Sequence, residues 1–138
     1  MNKKRTLALA LILTAGITAQ IIAQGGNPHN AGVMTHQSDG TYVINTASLA
    51  QDVKGFKGAT PLRVYIKADK VVKVEALANQ ETPGFFAKVK QNLLNKWNGM
   101  KASKAAKANV DGATGATFSS KAVKENVKRG VKYYLSHK

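Results

Sequence analysis

The chain has 138 residues, which is enough for one ordinary domain and too few for two. It contains no cysteine, which excludes a lipoprotein anchor, disulfides, thiolate metal sites and iron–sulfur clusters. Lysine and arginine outnumber aspartate and glutamate by 21 to 7, so the formal net charge is +14. The three histidines, His29, His36 and His137, are scattered without ligand spacing, and we expect no metal site.

The first 23 residues have the pattern of an export signal. A positive segment at residues 3–5 precedes an uninterrupted apolar run at 7–13, and a mixed stretch then ends at the small residue Ala23. The apolar segment is about 17 residues long and includes Thr, Gly and Gln, which makes it short and polar for a membrane-spanning helix. We expect residues 1–23 to be a cleaved signal peptide, with an uncleaved anchor as the alternative.

The basic charge of the chain points to anionic partners. Removal of residues 1–23 lowers the net charge from +14 to +11, because three of the positive residues lie there. Such basicity would ordinarily indicate nucleic-acid binding. An exported protein seldom meets nucleic acid, however, and these lysines are not interleaved with aromatic residues. We therefore expect attraction to a membrane surface or to an acidic redox partner, with a purely solubilising role as the alternative.

The stretch that follows the signal has little regular pattern. Residues 24–40 are rich in Gly, Asn, His and Ser without an apolar period, which predicts a flexible linker. The turn dipeptide Asp39-Gly40 then precedes a predicted strand at residues 41–44. The domain is expected to span residues 41–138.

A β-hairpin is the next predicted unit. Residues 62–67 and 71–75 are rich in β-branched side chains, and residues 68–70 are predicted to join them as a tight turn. Alternation on the first strand would place three apolar side chains on one face, namely Leu62, Val64 and Ile66.

Two helices are predicted after the hairpin. Pro83 suits a helix start, and four apolar residues then recur at helical spacing, namely Phe86, Val89, Leu93 and Trp97. Residues 101–107 are rich in Lys and Ala without a clear apolar face, which predicts an exposed connector or a short helix.

The last helix has the clearest pattern, with one apolar stripe opposite a basic face. We expect it to begin around Ser119, with Ser119 or Ser120 as its N-cap. The stripe comprises Val123, Val127, Val131 and Leu135. Together these elements predict an α+β fold, a small and mostly antiparallel sheet packed with helices in a single domain.

A seven-residue motif, Asp111-Gly112-Ala113-Thr114-Gly115-Ala116-Thr117, stands directly before this helix. Its small residues allow backbone N–H groups to approach an anion closely. The helix start adds roughly half a positive charge. A hydroxyl at this place is well positioned to hold a phosphate.

The motif resembles the flavinylation signature Asp-x-x-Thr-Gly-Ala-Thr of the FMN-binding domain family, which includes FMN-carrying subunits of the Rnf and sodium-pumping NADH:quinone reductase complexes. The resemblance extends over about residues 41–138. It includes the glycine turn Gly55-Phe56-Lys57-Gly58, the paired strands and the segment Glu81-Thr82-Pro83-Gly84.

The resemblance implies that Thr117 is esterified to the phosphate of FMN. In the family a separate flavin transferase positions FAD, the threonine oxygen attacks the FMN phosphorus, and AMP leaves. Asp111 would present the motif to the transferase, and Thr114 stands where many members have Ser. The resemblance adds further candidate cofactor-binding residues, namely Ala116, Gly115, Thr114, Ser119, Glu81, Thr82 and Gly84.

Two points stay open within this resemblance. The Glu81–Gly84 segment is either a flavin contact or simply a turn and helix start. Phe85, Phe86 and Trp97 are expected to pack in the core, with flavin stacking as the alternative.

A second Gly-Ala-Thr provides an internal comparison. Gly58-Ala59-Thr60 has Lys54 where the motif has its acid, and Pro61 follows it. No helix start follows either, so we expect no modification at Thr60.

The resemblance implies an exported protein that carries covalent FMN and transfers electrons at the periplasmic or extracytoplasmic side of a membrane. Nothing in the chain resembles a nicotinamide fold or a catalytic triad, so we expect a carrier rather than an enzyme. Its partners would be the transferase and a redox protein or membrane electron-transfer complex. The alternatives are a non-covalent FMN reductase module and a flavin-free basic module that binds the envelope.

The basic face of the last helix suggests an electrostatic role. Its cations, Lys121, Lys124, Lys128 and Arg129, are expected to raise the flavin potential and to speed docking to an acidic partner, or else to act as solubility residues.

Overall fold

The computed structural model describes residues 32–138 as one compact unit. The predicted signal peptide and residues 24–31 of the predicted linker lie outside the described residues. Within this part of the chain, no helix is long and apolar enough to cross a membrane.

Four strands form one antiparallel sheet in chain order. They are β1 Met34–His36, β2 Tyr42–Asn45, β3 Leu62–Lys67 and β4 Lys70–Ala76. The helices are α1 Pro83–Asn92, α2 Ala102–Ala105 and α3 Thr117–His137, with a 3-10 helix at Leu94–Trp97 between α1 and α2. The predicted α+β class with a mostly antiparallel sheet is confirmed.

The first strand lies inside the predicted linker. β1 pairs with β2, Met34 opposite Ile44 and His36 opposite Tyr42, so this end of the linker belongs to the sheet. Its sequence carries no apolar alternation because β1 is a short edge strand with exposed side chains. The expectation of a flexible segment as far as Gly40 was therefore wrong for residues 34–36.

The hairpin prediction is confirmed. Ala68 and Asp69 have φ angles of 49° and 64°, so they form a two-residue turn of the type that matches the twist of paired strands. On β3 the three predicted apolar side chains are fully buried, and Arg63 and Lys67 on the other face are exposed.

The four apolar residues that predicted the next helix are all buried, although they do not share one helix. Phe86 and Val89 lie in α1, which ends at Asn92, and Trp97 ends the 3-10 helix that follows. Within residues 101–107, the alanines of α2 are buried against the core, so this short helix does have an apolar face. Alanine does not stand out in a hydrophobic pattern because its side chain is so small.

The last helix packs its predicted stripe across the sheet. Val123, Val127 and Val131 are fully buried, and Gly130 lies where the helix approaches the sheet most closely. A Cβ on Gly130 would stand 3.0 Å from Thr46 Cγ2 and 3.4 Å from Val64 Cγ2.

A buried polar network joins α3 to the sheet. The Thr46 hydroxyl donates to Asn126 Oδ1 at 2.6 Å and accepts from the Leu62 N–H at 2.9 Å. The Asn126 side-chain amide donates to the Ala122 carbonyl at 2.9 Å and to the Thr60 hydroxyl at 3.5 Å. Each buried polar group therefore has a partner, which removes the cost of burying it.

Candidate functional site

The motif forms a loop that turns directly into α3. Gly115 has a φ of +79°, a backbone conformation that favours glycine, and Ala116 is the N-cap with a φ of −133°. Thr117 is the first residue of the helix, and its side chain is exposed. The helix thus begins two residues earlier than the sequence pattern predicted, and the hydroxyl of Thr117 stands at its very start.

The N-terminus of α3 has free hydrogen-bond donors. No side chain caps it, and the first helical bond runs from the Ser120 N–H to the Ala116 carbonyl at 2.9 Å. The N–H groups of Thr117, Phe118 and Ser119 therefore have no acceptor within the helix. Together with the helix dipole, these donors favour an anion at Thr117.

Ser119 and Ser120 were expected to cap the helix, and this expectation was wrong. Both lie in its first turn, and both are buried. The Ser119 hydroxyl donates to Glu81 Oε1 at 2.7 Å, and the Ser120 hydroxyl accepts from the Ala113 N–H at 3.0 Å. Their hydroxyls anchor neighbouring segments because the residue before the helix start, Ala116, has already taken the cap position.

Two contacts hold the motif loop against the domain. The Lys96 ammonium donates to the Asp111 carbonyl at 2.8 Å, and Ser120 holds Ala113 from the other side. The Asp111 and Thr114 side chains are exposed. Among residues 32–138 the Asp111 carboxylate takes part in none of the six ion pairs. It is therefore free to meet another protein.

Glu81 is a buried carboxylate, 6% exposed, that joins three segments. Its Oε1 accepts from the Phe56 N–H at 2.8 Å and from the Ser119 hydroxyl, while Oε2 accepts from the Lys57 N–H at 2.6 Å. Gly55 is needed beside it, since a Cβ there would collide with Oε1.

An open cleft of about 280 Å³ adjoins Thr117. It lies between the glycine turn, the start of α1 and the start of α3. Its lining residues are Phe56, Thr82, Phe85, Gly115, Ala116, Thr117, Phe118 and Ser119. None of these side chains titrates near neutral pH, so the cleft offers apolar surface, hydroxyls and backbone donors.

Three phenylalanine side chains form the apolar part of the cleft. Phe56, Phe85 and Phe118 are 64%, 49% and 62% exposed, and the rings of Phe56 and Phe118 lie 6.2 Å apart between centroids. The expectation that Phe85 packs in the core was wrong, whereas Phe86 and Trp97 are buried as expected. Exposed aromatic rings around a concave site indicate a planar apolar ligand.

The residues of the Glu81–Gly84 segment lie at different positions relative to the cleft. Thr82 is the extended N-cap of α1 and lines the cleft, and Pro83 begins the helix. Gly84 is exposed and lies outside the lining of the cleft, with open space where its Cβ would be. Glu81 faces inward to the glycine turn and Ser119.

A cation from α1 lies beside Gly115 of the motif loop. The Lys88 ammonium stands 3.4 Å from where a Cβ on Gly115 would be, and it lies 5.7 Å from the centre of the Phe85 ring. The sequence analysis missed Lys88, Phe56 and Phe118 as site residues. Phe118 could have been recognised from the sequence, because it is an aromatic residue outside the buried apolar stripe of α3. Nothing in the sequence pattern marked Lys88.

The cations of α3 face elsewhere. Lys121, Lys124 and Lys128 line a separate hollow, and Lys124 donates to Asn109 Oδ1 at 2.7 Å. Arg129 pairs with Asp52 and Glu125. It also lies twelve residues beyond Thr117, about 18 Å along the helix axis.

The comparison between the two Gly-Ala-Thr sequences has a clear structural basis. Thr60 is 1% exposed, and its hydroxyl accepts from the Asn126 side-chain amide. Thr117 is exposed beside the cleft. Only the second of these hydroxyls is accessible to a modifying enzyme.

The fold and the cleft together define a small α+β domain with a site for a planar, phosphorylated ligand. The sequence model of a family described as FMN-binding domain matches residues 55–132, more than half of the chain. The chain therefore belongs to the FMN-binding domain family and is a flavin-binding protein. Searches of curated proteins and of solved structures returned no match to it.

The residues of the cleft fit FMN. The exposed rings of Phe56, Phe85 and Phe118 suit the flat apolar ring system, and the uncapped start of α3 suits the phosphate. Lys88 adds a positive charge at the motif loop. No group of His, Asp or Glu within residues 32–138 could hold a metal ion.

Proposed function

We propose that this protein is an exported flavoprotein that carries FMN covalently on Thr117 and transfers electrons outside the cytoplasm. One observation carries the proposal. The only residue of the seven-residue signature that is both a hydroxyl-bearing side chain and part of the cleft lining is Thr117, at the uncapped start of α3.

The proposed attachment is a group transfer from FAD. The Thr117 oxygen forms a bond to the phosphorus of the FMN half, the pyrophosphate bond breaks, and AMP leaves. The hydroxyl proton passes to a base of the transferase, because no titratable side chain lines the cleft. The chain supplies an accessible nucleophile on a loop that Lys96 and Ser120 hold in place.

The chain's own residues would then bind and orient the cofactor. The free N–H groups at the start of α3 stabilise phosphate charge, and the three phenylalanine rings exclude water from the flavin. Bound FMN supplies one- and two-electron chemistry. Since no acid–base side chain lines the cleft, the site suits electron transfer better than a reaction that needs proton transfer to a substrate.

Acid precipitation tests the covalent bond. The protein is produced with and without a flavin transferase, precipitated with acid and washed. We expect yellow pellets only after co-expression. Flavin that appears in the supernatant would instead support the non-covalent reductase module, and a colourless protein under both conditions would contradict both flavin-carrying functions.

Export and partners are part of the same proposal. A basic segment before a short apolar run supports secretion, and covalent attachment prevents loss of a cofactor that could not be replaced outside the cell. The electron partners would be a redox protein or a membrane electron-transfer complex, and the basic charge of the chain would attract it to the membrane surface. N-terminal sequencing of protein from its native host should begin at Gln24. A retained Met1 in the membrane fraction would mean an anchored carrier.

A further inference from the structure

Glu81 occupies an unusual place for a charged side chain. It is 6% exposed and lies behind the cleft, outside its lining. Burial of a carboxylate is costly unless its oxygens accept hydrogen bonds. Glu81 meets this condition with three donors, which come from the Phe56 N–H, the Lys57 N–H and the Ser119 hydroxyl.

These three donors belong to two different walls of the cleft. Phe56 lies on the glycine turn and Ser119 lies in the first turn of α3, two residues after Thr117. The carboxylate therefore links the wall that carries one aromatic ring to the wall that carries the modified hydroxyl. Where these two walls meet, the rings of Phe56 and Phe118 form an aromatic pair with centroids 6.2 Å apart.

We propose that Glu81 is a positioning residue that clamps the Phe56 turn to the start of α3 and so fixes these two walls of the flavin cleft against each other. It acts through Phe56, Lys57 and Ser119 and makes no contact with the flavin. The expected effect on the flavin rests on the proposed function. The hydrogen bonds of the clamp are present in the protein without flavin.

Gly55 explains how the clamp fits. A Cβ on Gly55 would collide with Glu81 Oε1 and would also approach Thr60 Cγ2 to 3.2 Å. The turn therefore reaches the carboxylate only because this position is glycine. Gly55→Ala keeps the negative charge of Glu81 but displaces its oxygens. The variant therefore tests the position of the carboxylate independently of its charge.

The first experiment uses the full chain purified from a host without the transferase. Amide hydrogen exchange by NMR should show that at least one of the Phe56 and Lys57 amides exchanges at least about tenfold faster in Glu81→Gln than in wild type, because the amide that replaces the carboxylate offers one acceptor oxygen instead of two. Gly55→Ala should give the same acceleration. Glu75→Gln, which alters a half-buried carboxylate on β4 away from the cleft, is the matched control and should leave both amides unchanged.

Ser119→Ala separates the two halves of the clamp. The backbone donors of Phe56 and Lys57 remain, so their amides should stay protected. The link to α3 is lost, so the nuclear Overhauser effect between the rings of Phe56 and Phe118 should weaken. This variant also decides the matter if Glu81→Gln fails to fold by circular dichroism.

The consequence is measured on protein loaded by the transferase. The absorption band and fluorescence of the flavin in Ser119→Ala should shift toward those of free FMN, whereas Glu75→Gln should match wild type. Equal amide exchange in wild type and Glu81→Gln would overturn the clamp. Unchanged amide exchange in Gly55→Ala would also overturn the clamp, because the charge of the carboxylate rather than its position would then control the exchange. If wild-type protein carried no flavin on Thr117, the proposed function would be overturned. The amide-exchange results would then test the clamp by themselves.

Discussion

The exposed carboxylate of Asp111 has no predicted role in stability. Its side chain lies at the surface, and only its backbone carbonyl is held, by Lys96. We predict that Asp111→Ala folds as wild type by circular dichroism but receives FMN from the transferase much more slowly. Intact mass over a time course of modification measures this. Asp111→Glu keeps the charge and should retain part of the rate.

Full flavin loading of Asp111→Ala at the wild-type rate would show that the transferase does not recognise this carboxylate. Because Asp111 lies six residues from Thr117, such a result would reduce the recognised signature to the residues nearest the hydroxyl.

Ionisation of Tyr134 makes the stability of the fold depend on pH in the alkaline range. Burial, together with the hydrogen bond that its hydroxyl donates to Asp69 Oδ1 at 2.7 Å, raises the pKa of Tyr134 to about 12. The fold thus favours the neutral phenol over its ionised form. The resulting stability is complete below about pH 10, the pKa of an unfolded tyrosine, and is lost as the pH rises through about 12.

Tyr134→Phe tests this dependence because phenylalanine cannot ionise. Urea unfolding should show wild type more stable than the variant near pH 9, and the difference should shrink steadily toward pH 12. Parallel stability profiles for the two proteins across this range would contradict the raised pKa.

Individual residues show what sequence patterns can and cannot predict. Thr117 was predicted as a site residue because it ends a motif that resembles the flavinylation signature, and the structure places it, exposed, beside the cleft. Phe85 was misplaced because an aromatic residue next to a helical stripe is ordinarily predicted to lie in the core, whereas this side chain is exposed and lines the cleft. Asn126 was missed because its partners are far away in the sequence.

Among the elements, α3 depends on a close approach to the sheet at Gly130. A larger side chain there would meet Thr46 and Val64, since even a Cβ would stand 3.0 Å and 3.4 Å from their methyl groups. We predict that Gly130→Leu lowers the free energy of unfolding by about 1–3 kcal/mol, through overpacking of this contact.

Urea unfolding measures the effect, and Lys132→Leu is the matched control because its position in the same helix is exposed. The control should change stability by about 0.5 kcal/mol or less. A Gly130→Leu protein as stable as the control would mean that helix and sheet separate easily at this point.

The strands and helices were predictable where their pattern is local. β3 and β4 follow from their β-branched side chains, and the stripe of α3 follows from helical spacing. β1 escaped prediction because an edge strand of three residues is held by pairing with β2 rather than by its own pattern. The start of α3 was misplaced because two serines resembled caps but instead bond Glu81 and Ala113.

For the whole molecule, the net charge of +14 says less about the surroundings of the flavin than the positions of individual cations do. Lys88 stands beside Gly115, whereas Lys124 bonds to Asn109 on another face. A nearby cation stabilises the added negative charge of a reduced flavin. We predict that Lys88→Gln lowers the reduction potential of the loaded protein and that Lys128→Gln changes it less.

Spectroelectrochemical titration of the two variants at low and high salt measures this difference. The effect of Lys128 should vanish at high salt because the screening length for exposed charges falls from about 10 Å at 0.1 M to about 3 Å at 1 M. Equal shifts in both variants would mean that the flavin responds to the overall basic charge and to no particular lysine.

The most direct measurement of the central claim is peptide mapping by mass spectrometry after co-expression with a flavin transferase. We expect an added mass of one FMN less one water, located on Thr117 and absent from the buried Thr60. Thr117→Ser should keep the adduct, Thr117→Ala should lose it, and Ser136→Ala at the far end of α3 should match wild type. An adduct that persists in Thr117→Ala, or that maps to any other residue, would contradict the account.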